Sequence, residues 1–207
     1  MTHRRLLRLS FRGILIWCAL SAAGFLLTRP IVETLSPFFE GVVDSMQSDY
    51  TAFLSVIDAQ GGPKIVMSCT AQRALLLPHG GIVPAFASFK CAWTDAVHAL
   101  VPIIIFLVVV FGWPTKNRRE MLRRILSSAI ALPIVLGLTT PLLLIGLANS
   151  TLYPESFRAD SQLRALLQPF VFMELGGRWL LPLVAAAVSI RLGSAVADDE
   201  KRARTES

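Results

Sequence analysis

Charge is scarce in this chain. Of its 207 residues only 16% are Asp, Glu, Lys or Arg, against about 25% in an ordinary soluble protein. That leaves too few ions to coat a large globular surface. Cysteine is also rare, at three residues, which rules out a disulfide-dense secreted scaffold. No Cys-x-x-Cys pair occurs, nor the two pairs that a membrane thiol relay to quinone needs. No phosphate-binding glycine loop, His-Glu-x-x-His or Gly-x-Ser-x-Gly is present, so the common nucleotide, zinc-protease and serine-hydrolase signatures are missing. Internal repeats and low-complexity stretches are missing too. His79, in LLPHGGIVP, reads as a turn residue.

What the chain has is apolar length. Hydrophobic residues make up 54% of it, gathered in four stretches, 13–28, 96–113, 125–148 and 170–192. A bilayer core about 30 Å thick needs roughly 20 helical residues. Four crossings are therefore expected. The first is the shortest and reads as an anchor, although MTHRRLLRLSFR, ILIWCAL and Ser21-Ala22-Ala23 also have the order of a cleavable signal peptide. Cys18 lies within it as a small packing residue, because Trp17 stands where a lipoprotein site needs a small side chain.

The net charge of +6 is unevenly spread. Arg4, Arg5, Arg8 and Arg12 precede the first stretch, and Lys116, Arg118, Arg119, Arg123 and Arg124 crowd the link between the second and third. Lys201, Arg202 and Arg204 lie in the tail. The positive-inside rule places these clusters, and both termini, in the cytoplasm. The basic link KNRREMLRR has no aromatic interleaving, so it reads as an orientation signal beside membrane lipid rather than a nucleic-acid site.

The expected fold class is mainly α, a four-helix transmembrane protein with a small extracytoplasmic α+β lobe between the first two spans. The divisions are 1–28 (basic N-terminus and first span), 29–95 (lobe), 96–192 (three-span bundle) and 193–207 (disordered cytoplasmic tail). The bundle contains a cytoplasmic basic loop, 114–124, and an outer loop, 149–169. In the lobe, Ile31, Leu35, Phe38, Phe39, Val42 and Met46 recur at helical spacing, with Glu33, Glu40 and Asp44 mostly opposite. Pro37 is expected to bend or interrupt this helix. AFLSVID and KIVMSCT flank AQGGP as a hairpin, and IVPAFASF offers a third strand that Pro84 would confine to an edge. The outer loop holds a possible short helix at 154–167 and the sequon Asn149-Ser150-Thr151.

Three groupings could carry function. Cys69 and Cys91 both fall in the lobe, where an oxidising compartment would join them in a disulfide closing about 23 residues. Two free thiols, or redox or nucleophilic use, remain open. Cys91, His98 and Arg178 supply a thiolate, a base and an oxyanion donor, but two helical turns would hold Cys91 about 10 Å from His98. Asp95 could join their cluster. Lastly, Glu174 and Arg178 sit four apart inside FVFMELGGRWLLPLVAAAVSI. That spacing favours an intrahelical ion pair, with Gly176 and Gly177 permitting close helix packing or docking of another membrane protein.

The order of elements, including the proline-bearing last span FMELGGRWLLPLV, resembles the small four-span membrane proteins associated with exosortases, bacterial membrane transpeptidases that process C-terminal sorting signals. The resemblance is one of layout over nearly the whole chain. It implies a non-enzymatic accessory or assembly subunit in envelope protein sorting or export, in the bacterial inner membrane, beside another integral membrane protein. It brings no catalytic residue, cofactor or metal. The alternative is a thiol-dependent membrane enzyme, transpeptidase-like or disulfide-exchanging, that uses Cys91.

Overall fold

The computed structural model describes residues 3–76, 81–115, 117–152 and 168–205, with side chains described from 11 to 194 apart from residue 76. It is mostly helical, with a small antiparallel sheet. In chain order the elements are α1 (His3–Met46), β1 (Tyr50–Ala59), β2 (Gly62–Ala71), β3 (Leu75–Leu76), β4 (Ile82–Val83) and β5 (Ser88–Asp95). Then come α2 (Ala96–Gly112), α3 (Arg118–Leu152), a π-turn (Met173–Gly177) and α4 (Arg178–Thr205). The expected short helix at 154–167 lies outside the described residues, as does His79.

Among the described residues, three helical segments are long and apolar enough to cross a membrane: Phe11–Met46, Arg118–Leu152 and Gln168–Ser194. The expectation was four. The helix α2 has 17 residues, about 25 Å at 1.5 Å per residue, short of a bilayer core of about 30 Å. The last helix also runs on to Thr205, through the stretch expected to be disordered.

The chain divides into two compact units. One combines Leu27–Leu100 with Leu136–Arg178 and holds the sheet. The hairpin is as expected, β1 pairing with β2 from Tyr50↔Ala71 to Ala59↔Gly62. Gly61 and Gly62 supply the positive φ values, 100° and 122°, that a tight reversal between two strands requires. The third strand differs from expectation. IVPAFASF gives only β4, a two-residue partner of β3, whereas SFKCAWTD forms β5 against β2. Pro84 falls just after β4, and Phe86, at φ 65°, turns the chain before β5 begins.

The strand order β1-β2-β5 leaves two edges. The outer edge of β1 is sealed by α1. Asp44 accepts from the Ala52 amide at 2.8 Å and Glu40 from the Leu54 amide at 2.6 Å, while Arg29 donates to Asp58 at 2.9 Å. Successive contacts pair rising strand numbers with falling helix numbers, so α1 lies antiparallel along β1. Covering an edge with charged groups in this way prevents stray strand pairing. This explains two departures. The helix is not interrupted at Pro37 but continues through both Pro30 and Pro37, with Val32, Phe39 and Val43 buried and Arg29, Glu40 and Asp44 bonded to β1. The buried stripe, Val32, Ser36, Phe39 and Val43, is also turned about one residue from the expected one. Phe38 and Val42 instead flank Gly137 of α3.

The other unit comprises Met1–Leu26, Val101–Val135 and Trp179–Ser207. Its core is Phe106, Val110 and Ala186, with Leu107, Ala131 and Leu132 packed around them.

Candidate functional site

The lobe's sulfurs are joined. Cys69 on β2 is bonded to Cys91 on β5, with Cα atoms 6.0 Å apart. The register explains why they meet. Met67 pairs with Ala92 and Ser68 with Lys90, leaving Cys91 as the extra residue of a bulge. A bulge re-aims the side chain of its unpaired residue, here toward Cys69, and both sulfurs are buried. In this state neither is a thiolate. Cys18 is a free cysteine, exposed on α1.

Neither of the other two members of the thiol-centred grouping hydrogen-bonds to Cys91 among the described residues. The chain changes from strand to helix between Asp95 and Ala96, so Cys91 and His98 are not on one continuous helix as expected. His98 Nδ1 lies 3.3 Å from the Thr94 hydroxyl, and Asp95 is exposed. Arg178 ends the π-turn, and its guanidinium makes no hydrogen bond to Cys91 or His98 among the described residues. The sequon also fails as a modification site, since Asn149 is buried within α3.

The Glu174–Arg178 ion pair is not formed either. The reason is local. Residues 173–177 wind as a π-turn, and Gly176 adopts φ 128°, ψ 0°, outside helical space. The four-residue rule assumes α-helical winding, and the kink at Gly176 interrupts that winding between Glu174 and Arg178. Glu174 is exposed, while half-buried Arg178 has its Nε enclosed without a hydrogen-bond partner. The glycines serve different ends from the expected helix packing. A Cβ on Gly176 would meet nothing within 4 Å, so this residue is needed for its backbone angle. At Gly177 a Cβ would collide with the ring and carbonyl of Phe172, which folds the kink onto itself.

Sequence reasoning overlooked two arrangements. At the α2–α3 turn, Arg124 and Glu120 form a buried ion pair at 2.5 Å. Arg124 also donates to the carbonyls of Trp113 and Pro114, each at 3.0 Å, satisfying acceptors left at the end of α2. Asn117 caps α3 by accepting from the Glu120 amide at 2.7 Å, as an N-cap side chain does. Gly193 gives Arg124 its room, because a Cβ there would lie 2.6 Å from Arg124 Cγ. The spacing 117, 120, 124 was visible in the sequence, but the basic link was read only as an orientation signal.

The second arrangement is a groove of about 690 Å³ on the lobe, lined among the described residues chiefly by Ile57, Lys64, Val66, Lys90, Trp93 and Leu147. Lys64 Nζ stands 4.1 Å from the centroid of the Trp93 ring, a cation–π contact. No sequence signal marked it, because the residues come from three strands and a helix. No known protein family, characterised protein or solved structure matches this chain.

Proposed function

We propose that this protein is a non-enzymatic accessory or assembly subunit of the bacterial inner membrane, acting in envelope protein sorting or export beside another integral membrane protein. In this reading the chain crosses four times, α2 spanning with help from its interfacial flanks, and both termini and the basic α2–α3 turn face the cytoplasm. Arg118, Arg119 and Arg123 supply the positive-inside bias.

The observation that carries the proposal is the polar notch at the π-turn. A carboxylate on an apolar helix is expensive against lipid, about 3 kcal/mol for a charge at the bilayer centre and less toward the rim. Glu174 is exposed and Arg178 Nε is enclosed but unpartnered, so this segment carries two polar groups that the described residues do not satisfy. Leu175 between them is 84% exposed. A partner helix bringing a donor to Glu174 and an acceptor to Arg178 would satisfy both.

The test is capture from native membranes with and without Glu174→Gln and Arg178→Gln. The expected result is a co-purifying integral membrane protein whose recovery falls at least tenfold in the double variant, with the protein's own level unchanged. Purified protein that processes a sorting substrate by itself would contradict the proposal. So would a complex indifferent to both substitutions.

A further inference from the structure

We propose that the groove on the lobe binds the phosphodiester headgroup of an anionic phospholipid, a site that rests on the four-span reading above. The first support is a charge inventory. From residue 29 to 95 the basic residues are Arg29, Lys64, Arg73 and Lys90. Arg29 is paired with Glu33 and Asp58, and Arg73 with Asp49. Glu40 and Asp44 are committed to the Leu54 and Ala52 amides. Lys64 and Lys90 make no ion pair among the described residues, and both line the same groove. Asp95 is opposite Lys64 in register yet forms no ion pair with it.

The second support is the chemistry of the walls. Ile57, Val66 and Leu147 offer an apolar floor, Thr151 a hydroxyl, and Trp93 an indole against the Lys64 ammonium. An aromatic with an apolar body and a polar edge, beside lysines, suits the headgroup level of a membrane. The volume, about 690 Å³, falls within the range of ligand pockets, and it is enough for a phosphoglycerol group and the first acyl carbons.

The third support is height along the chain. Trp93 stands three residues before α2 begins at Ala96, and Leu147 and Thr151 lie in the last two turns of α3. In the proposed topology both are where the chain meets the outer leaflet. A free phosphate offers the same charge but no use for the apolar floor. A protein segment would need no such height.

The experiment is native mass spectrometry of the full chain in detergent, titrated with phosphatidylglycerol, phosphatidylcholine or inorganic phosphate. Phosphatidylglycerol should be retained as a discrete adduct, with phosphatidylcholine at least tenfold weaker. Lys64→Gln combined with Lys90→Gln should weaken the adduct about thirtyfold, from the contribution of each lysine near a membrane surface, while the Cys69–Cys91 bond stays closed. Arg118→Gln with Arg119→Gln should leave it unchanged. Equal loss in the arginine pair would overturn the site. So would displacement of the lipid by millimolar phosphate, or lysine-dependent retention of an acidic protein with no lipid adduct. Because detergent removes the question of sidedness, failure here is distinct from failure of the topology, which cysteine labelling from either side of the membrane reads separately.

Discussion

Replacing Cys69 and Cys91 by alanine, singly and together, tests whether this bond is a staple or a chemical centre. The bonded residues are 22 apart in sequence. Chain-entropy reasoning for such a loop gives about 3 kcal/mol, with the whole effect arising in the unfolded lobe. Alanine fits both sites, which are buried, and the thiol left behind in each single variant behaves as a small apolar group. Each single variant, and the double, should therefore cost about the same 3 kcal/mol. The double-mutant cycle should return nearly that entire value as coupling. The assay is hydrogen exchange of the β2 and β5 amides in detergent. If they open only with the lobe, protection should fall about a hundredfold in all three variants. Reductant should do the same to the unaltered protein and nothing further to the variants. A Cys91 variant with lost function beside a harmless Cys69 variant would refute this reasoning and make Cys91 a reacting group. Amides indifferent to all three substitutions would show that the crosslink carries no load.

Three other outcomes follow from packing. Glu120→Ala strands the buried Arg124 guanidinium and should destabilise the protein by about 3 to 5 kcal/mol, read as a lowered midpoint of thermal aggregation in detergent, with Glu120→Gln costing less. Glu40→Ala leaves the Leu54 amide at the β1 edge without its acceptor and should cost about 1 to 3 kcal/mol; faster exchange at Leu54 would register it. At Gly146 an added Cβ would overlap the Phe170 ring, so Gly146→Ala should cost about 1 to 3 kcal/mol. Phe170→Ala in the same chain should restore part of that loss, and no recovery would mean that the two segments do not pack as described.

Much of the architecture was legible because it follows from local rules. The Gly61-Gly62 reversal marked the hairpin, and apolar length marked the helices. The misreadings share a cause. The possible interruption at Pro37, the expected face of α1 and the Glu174–Arg178 pair were all inferred from one helix considered alone. Each was decided by something beyond the local pattern. The sheet edge needed acceptors, so Glu40 and Asp44 turned inward. The glycine at 176 allowed a kink, so α-helical spacing ceased to apply. Strand β5 was missed in part because SFKCAWTD alternates poorly. Its bulge at Cys91 breaks the period of two on which strand recognition depends.

Sequence by itself determined where the chain is apolar, where positive charge collects and that two cysteines share one small lobe, since these are properties of composition and order. Tertiary structure alone decided which charges are spent and which are left over. Arg29 and Arg73 find carboxylates distant in sequence, and among the described residues Lys64 and Lys90 do not. The physical reason is range: an ion pair such as Arg29–Asp58 or Arg73–Asp49, or an edge cap, forms only within a few ångströms, between residues distant in sequence that only folding brings together.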